Sequence, residues 1–235
     1  MRERLGKLGL EYEFLDAVRG TDVYGDPGLY DKAKALKAEG RELYAGEVGC
    51  ALSHAKAYRE IVRRGLPWAL VLEDDAVLHE RLPDILERLE AGILEQGDLV
   101  FLERCDYVRP GSARALFGAF RIAEPILVRA GATAQAAGYV VTRTAAEAIM
   151  ARNVPVHFPA DSWGYYLGLV RYRGIQPTLT LIRQDTSFGS TTRKVATRPV
   201  FRKNPLWRLV AHDFLTYTSI GRVFMRPLRV LLKRT

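Results

Sequence analysis

The chain has 235 residues, of which 48% are hydrophobic and 26% are charged, and this balance excludes general disorder. The length suits one α/β domain, or one domain with a helical appendage. The net charge of +8 is concentrated in residues 193–235, which carry eleven Lys or Arg residues against one acid, so that residues 1–192 together carry −2. We therefore expect a nearly neutral globular domain at 1–192 and a basic amphipathic, helical tail at 193–235.

Cysteine usage and hydropathy favour a cytoplasmic protein. Cys50 and Cys105 are the only cysteines, too few for a disulfide framework, which favours a reducing compartment. The first residues are too polar for an export signal, and no apolar run approaches the roughly 20 residues of a membrane span. We expect a soluble protein or one peripheral to a membrane.

The hydrophobic pattern predicts helices alternating with strands, which indicates an α/β sheet. In chain order it predicts the end of a helix at 2–10, a short strand at 11–18, a polar helix at 30–39, an amphipathic helix at 46–64, strands at 68–72 and 99–102, a strand at 137–141 leading into a helix at 144–151, a helix near 162–170 and a strand near 178–182. The runs at 68–72 and 99–102 are continuously apolar, as in strands buried on both faces.

Three acids, Glu73-Asp74-Asp75, directly follow the predicted strand at 68–72. Ligands of open α/β sheets bind at the carboxyl edge of the strands. Adjacent carboxylates repel one another, and a hard cation such as Mg²⁺ or Mn²⁺ relieves the repulsion and can hold the phosphates of a nucleotide. The alternative is a solvated acidic loop or an acidic helix N-terminus.

Two motifs follow one another in the chain: the Gly46-x-x-Gly49-Cys50-x-x-Ser53-His54 helix and the apolar strand that ends at Glu73-Asp74-Asp75. Their order and spacing resemble glycosyltransferase family 25, which holds lipooligosaccharide galactosyltransferases. Weaker similarities extend the resemblance to roughly residues 2–193.

The resemblance implies a GT-A-like catalytic domain at 1–192 with Mn²⁺ or Mg²⁺ at an Asp-x-Asp-like motif. Asp75 is then the direct metal ligand, Glu73 holds the ribose or reaches the metal through water, and Asp74 contributes to substrate binding. Family members usually begin with a strand that supports the nucleotide base. This chain starts at Met1 inside the following helix, so we expect the first strand to be missing and uridine binding to be affected, with the metal site intact.

The implied reaction is transfer of a sugar, galactose from UDP-galactose, to a hydroxyl of a lipid-linked or lipopolysaccharide oligosaccharide, with inversion at the anomeric carbon. The basic tail would hold the enzyme on an anionic membrane, at the inner face of the bacterial membrane. The alternative is that the apolar face of the tail packs on the catalytic domain and that its Arg residues are solvated. Nucleic acid is not an expected partner, because the basic residues alternate with Leu, Val and Phe rather than stacking platforms. A metal-dependent phosphoesterase and a catalytically degenerate relative remain alternatives.

Further polar residues are candidates for the site. His54 could bond the donor or a carboxylate near the metal, and Ser53 either contacts the donor or bonds backward to a carbonyl. Asp161 could deprotonate the acceptor hydroxyl or cap a helix, with Glu103 and Asp106 as rival bases. Ser187 belongs either to a loop that closes over the diphosphate or to a plain turn.

Overall fold

A computed structural model describes residues 1–103, 105, 108–126, 136–176 and 181–185. The helices are α1 Arg2–Lys7, α2 Gly20–Val23, α3 Lys32–Glu39, α4 Ala45–Arg63, α5 Leu82–Glu90 and α6 Arg143–Asn153, with a 3-10 turn at Trp163–Tyr166. The strands are β1 Trp68–Leu72, β2 Ala76–Leu78, β3 Asp98–Phe101, β4 Arg114–Phe117, β5 Phe120–Ala123, β6 Gly138–Thr142, β7 Arg171–Gln176 and β8 Ile182–Gln184. The predicted tail at 193–235, together with Asp106 and Ser187, lies outside the described residues.

The long helix α4 agrees with its apolar periodicity to within a residue at each end. Its start is fixed by Glu47, whose Oε2 accepts a hydrogen bond from the backbone N–H of Tyr44 at 2.7 Å. It ends before Gly65, which has a φ of +65°, the left-handed conformation that closes many helices. The predicted helix is therefore confirmed.

The central sheet has six strands in the order β1-β6-β3-β7-β5-β4. Strand β6 is antiparallel to both β1 and β3, and β3 is parallel to β7. The sheet is thus mixed and mostly antiparallel, but β1, β3 and β7 run in the same direction. Their carboxyl ends meet at one edge, which lies beside the beginning of β6.

Helices cover both faces of this sheet, which gives the mixed α/β architecture. On one face α4 and α6 pack on residues such as Phe101 and Tyr139. On the other face α5 packs on the alternate residues, such as Val100 and Val140. Strands β2 and β8 form a separate two-stranded sheet beside the edge at which β1 ends.

Several predicted elements differ from the structure. Strand β1 forms, but it is an edge strand and all five of its residues are partly exposed, so its burial on both faces was wrong. Residues 11–18 are not a strand, because side chains of α4 bind their backbone: Ser53 Oγ accepts from the N–H of Val18, and Lys56 donates to Asp16. The helix expected near 162–170 is only the 3-10 turn, followed by the unpredicted β7.

Candidate active site

The strand-end carboxylates meet at the start of β6, as their sequence positions predict. The backbone N–H of Glu73, directly after β1, donates to the carbonyl of Ala137 at 2.9 Å. The side chain of Glu103, two residues after β3, accepts from the backbone N–H of Gly138 at 3.0 Å. The two acids therefore flank the first residues of the strand between them, at the edge where ligands of such sheets bind.

Glu73 points towards α4 and is held there by two side chains. Its Oε1 atom lies 3.2 Å from His54 Nε2 and 3.6 Å from Cys50 Sγ. Burial raises the pKa of Glu73, but the hydrogen bonds from His54 and Cys50 outweigh burial and leave the pKa below its ordinary value. Glu73 is thus an ionised carboxylate with one oxygen engaged by the motif helix.

The second ring nitrogen of His54, Nδ1, faces buried residues of the core. His54 Nδ1 lies 2.7 Å from the hydroxyl of Tyr139, and that hydroxyl is hydrogen-bonded to the hydroxyl of Tyr58. Tyr58 and Tyr139 are both buried, and burial raises the pKa of each hydroxyl. Four side chains from α4, β6 and the end of β1 thereby form one continuous hydrogen-bonded chain.

Asp75 faces a different element from Glu73. Its Oδ2 atom accepts a hydrogen bond from Gln184 Nε2 at 2.8 Å, whereas its Oδ1 atom is buried without a hydrogen-bond partner among the described residues. Burial is the main cause that raises the pKa of Asp75, and the charges of Glu73 and Asp74 add to it. A buried oxygen without a partner is costly, and a cation is one ligand that would satisfy it.

Three residues that sequence reasoning did not assign to the site hold the loop that carries Asp75. Gln184 bonds the carboxylate directly, and the N–H of Asp185 donates to the carbonyl of Asp75 at 2.9 Å. Arg4 donates to both the carbonyl of Ala76 and the carboxylate of Asp185, each at 2.8 Å. The sequence signal for Gln184 was its place in Gln184-Asp-Thr-Ser-Phe-Gly-Ser190, one of the weaker similarities to the family. Nothing in the sequence paired Arg4 with an acid 181 residues away.

Asp161 lies within electrostatic reach of Glu73. Burial raises the pKa of Asp161, and the negative charges of Glu73 and Glu47 raise it further. The residue before the 3-10 turn is Ser162, and no side-chain cap bond forms there. The helix-capping alternative for Asp161 therefore has no bond to support it.

Glu103 is deeply buried and faces backbone rather than solvent. Burial raises the pKa of Glu103 to about 7, although the N–H groups of Gly138 and Ala137 act in the opposite direction. The charges of Glu73 and Asp75 raise the pKa as well. The carboxyl group of Glu103 thus has a structural contact in the site, because it accepts a hydrogen bond from the first residue of β6.

The remaining motif residues have structural contacts. Ser53 Oγ donates back to the carbonyl of Gly49 at 2.7 Å and accepts from Val18, so the backward bond considered from the sequence is present. A Cβ on Gly49 would lie 2.6 Å from the carbonyl oxygen of Val18 and 2.7 Å from the backbone nitrogen of Gly20. The motif glycine is needed for this backbone crossing. Asp74 is exposed.

The carboxylates of Asp75 and Glu73 suit a hard cation such as Mg²⁺ or Mn²⁺, which prefers oxygen ligands. Among the described residues Asp75 Oδ1 has no hydrogen-bond partner, and His54 and Cys50 both bond Oε1 of Glu73 rather than Oε2. Cys50, His54 and Glu73 also place three ligand atoms within 4.8 Å of one another. That set includes a thiol, a softer ligand, so the two carboxylates are the better match to Mg²⁺ or Mn²⁺.

Comparison with known proteins supplies the family. The family described as Glycosyltransferase family 25 (LPS biosynthesis protein) matches residues 1–163, and the chain belongs to this family. Inactive glycosyltransferase 25 family member 3 of Mus musculus is 35% identical over 178 residues, covering 69% of this chain and 28% of the relative. Procollagen galactosyltransferase 1-B of Xenopus laevis is 34% identical over 113 residues, covering 44% of this chain and 18% of the relative. The chain thus spans less than a third of the length of either relative.

Proposed function

We propose that the chain is an inverting glycosyltransferase that moves galactose from UDP-galactose to a sugar hydroxyl, in a GT-A-like domain. One observation carries the proposal: Asp75 has a buried oxygen without a described partner, at the strand edge that Glu73 and Glu103 also line. Family membership supports glycosyl transfer, and the name of the Xenopus laevis relative motivates the choice of galactose. Membership in this family also argues against the phosphoesterase alternative.

Asp75 and Glu73 would hold the divalent cation of this reaction, Mn²⁺ or Mg²⁺. When bound, the cation would neutralise the nucleoside diphosphate that leaves the sugar. Gln184 fixes one oxygen of Asp75 and leaves the other for the ion. Glu73 would contribute the oxygen that does not face His54, either to the ion through water or to the ribose, and Asp74 is exposed beside the donor.

Asp161 is our choice for the general base. Inversion needs one base for the acceptor hydroxyl and no covalent intermediate, and a carboxylate with a raised pKa accepts a proton more readily at neutral pH. Burial and the charge of Glu73 both raise the pKa of Asp161. Glu103 suits this role less well, because its carboxylate already accepts a backbone N–H.

We further propose a lipid-linked or lipopolysaccharide oligosaccharide as acceptor, reached at the inner face of a bacterial membrane. The family's description as LPS biosynthesis protein supports the acceptor class, and the +10 charge of residues 193–235 supports contact with an anionic surface. Within the described part of the chain, no helix has the length and apolar character to cross a membrane.

A catalytically degenerate member of the family is the second candidate. The observation that favours it is the name of the Mus musculus relative, which is called inactive. Such a protein would keep the fold and the hydrogen-bonded frame without turning over a donor.

A donor screen separates these two candidates. The full chain is incubated with UDP-galactose, UDP-glucose, UDP-N-acetylglucosamine and GDP-mannose, with Mn²⁺ or with a chelator, and release of the nucleoside diphosphate is measured. Our proposal predicts release of UDP from UDP-galactose in Mn²⁺ alone. Absence of release from every donor, with or without an oligosaccharide acceptor, favours the degenerate candidate.

A further inference from the structure

The carboxylate of Glu73 lies at one end of a hydrogen-bonded chain that begins in the core. His54 bridges the two ends, because its Nε2 atom lies 3.2 Å from Glu73 Oε1 and its Nδ1 atom lies 2.7 Å from the hydroxyl of Tyr139. The hydroxyl of Tyr139 is in turn hydrogen-bonded to the hydroxyl of Tyr58. Removing the hydroxyl of Tyr139 would therefore take away the partner that His54 has on its Nδ1 side.

The two tyrosine hydroxyls lie where a core selected for volume alone would use phenylalanine. Tyr139 is 0% exposed and Tyr58 is 3% exposed. Burying a hydroxyl is unfavourable unless it is hydrogen-bonded, and each of these hydroxyls has the other as a partner. The ring of Tyr139 is also held by stacking on His54 and by an edge contact with Trp163. Both buried hydroxyls of the hydrogen-bonded chain are thus satisfied, and the ring of Tyr139 is packed between His54 and Trp163.

The hydrogen-bonded chain ends on a single carboxylate oxygen of Glu73, Oε1. His54 and Cys50 both bond Oε1, and the backbone N–H of Glu73 is fixed by Ala137. Rotation of the carboxylate would break both side-chain bonds, so these contacts restrain its orientation. This preorganisation favours ligand binding, because the carboxylate does not have to be reoriented when the ligand binds.

We propose that Tyr139, Tyr58 and His54 are positioning residues that fix the carboxylate of Glu73 for the nucleotide-sugar donor. Tyr139 is the central link, because it joins the motif helix α4 to strand β6. The role in donor binding rests on the proposed function, whereas the hydrogen-bonded geometry does not. Loss of an outer partner of this kind typically lowers activity by about 10-fold to 100-fold.

The first test of this proposal measures the geometry and needs no activity. The chain has four histidines, so the ring nitrogens of His54 can be assigned by ¹⁵N NMR. We expect Tyr139→Phe to shift both the Nδ1 resonance of His54 and the side-chain carboxyl ¹³C resonance of Glu73. The matched control is Tyr30→Phe, which also removes a buried hydroxyl, one that accepts from the N–H of Leu43. It should leave the resonances of His54 and Glu73 unchanged.

The second test measures the function. Tyr139→Phe should lower kcat/KM for Mn²⁺-dependent turnover of UDP-galactose by about 10-fold, and Tyr58→Phe should lower it less. Tyr30→Phe should lower thermal stability to a similar extent but leave kcat/KM unchanged. If Tyr139→Phe does not fold, the same measurements on Tyr58→Phe test the proposal, because this variant removes only the hydroxyl at the end of the hydrogen-bonded chain that is farthest from Glu73.

Two results would overturn the proposal. One is a carboxyl resonance of Glu73 that is the same in Tyr139→Phe as in the unaltered protein. The other is equal kcat/KM for the Tyr139→Phe and Tyr30→Phe variants. Absence of turnover in the unaltered protein would contradict the proposed function rather than this proposal. The NMR measurements would then still show whether the hydrogen-bonded chain of Tyr58, Tyr139 and His54 holds Glu73.

Discussion

Replacing Glu103 with Gln should remove a pH dependence of stability that the buried carboxyl group creates. The folded chain raises the pKa of Glu103 to about 7, mainly through burial, from an ordinary value of 4.5. The folded protein thus binds this proton more tightly than the unfolded chain does. The contribution to the free energy of unfolding is therefore fully present below pH 4.5 and is lost as the pH rises through 7.

The size of the loss follows from the two pKa values. Each pH unit between them corresponds to about 1.4 kcal/mol, so ionisation of Glu103 should cost about 3 kcal/mol of stability by pH 8. The side chain is only 5% exposed, so solvent screens the effect little. Glu103→Gln keeps an oxygen that can accept from the N–H of Gly138 and removes only the charge.

Urea denaturation at pH 5, 6, 7 and 8 in the presence of a chelator measures the effect. The variant and the unaltered protein should be nearly equal at pH 5, and the variant should be more stable by about 3 kcal/mol at pH 8. Glu90→Gln, at an exposed site on α5, should leave the pH profile unchanged. Parallel profiles for the Glu103→Gln variant and the unaltered protein would refute the reasoning, because they would mean that the buried carboxyl does not titrate in this window.

Three further predictions concern the motif helix, the base and the tail. Gly49→Ala should lower the free energy of unfolding, measured by urea denaturation, by about 1–3 kcal/mol or more, because the new Cβ would lie 2.6 Å from the carbonyl oxygen of Val18. Gly6→Ala is the control and should not lower it, because a Cβ at Gly6 would have nothing within 4 Å. Asp161→Asn should lower kcat by about 100-fold or more with little change in donor affinity, and unchanged kcat would transfer the role to another carboxylate. The full chain should sediment with anionic vesicles, detach as salt rises and ignore neutral vesicles; equal binding to neutral vesicles would contradict an electrostatic tail contact.

The sequence predicts best where short-range patterns determine the structure. The apolar periodicity of α4 and the continuous apolar run of β3 each reflect burial of a single element, and both are confirmed. The position of Glu73 and Glu103 at one edge was also predictable, because each acid follows a strand and the two strands run in the same direction.

Long-range pairing explains what sequence reasoning missed. An apolar run does not reveal whether its strand lies inside a sheet or at its edge, and β1 lies at the edge. The acidic triplet is a second example, because its members face different elements. Glu73 contacts His54 and Asp75 contacts Gln184, and these partners are set by the packing of α4 and β8. Residues 11–18 resemble a strand locally but are held by side chains of α4 instead.

Binding of UDP in the presence and absence of Mn²⁺ tests the central claim most directly, measured by calorimetry on the full chain and on Asp75→Asn. The account predicts that Mn²⁺ strengthens UDP binding to the unaltered protein, and that Asp75→Asn removes this gain, weakening Mn²⁺-dependent binding by about 10-fold or more. Asp84→Asn, which removes the same charge from α5, should bind as the unaltered protein does. Undiminished Mn²⁺-dependent binding of UDP to the Asp75→Asn variant would contradict the account. The buried oxygen of Asp75, which has no hydrogen-bond partner in the described part of the chain, would then have no part in holding the nucleotide.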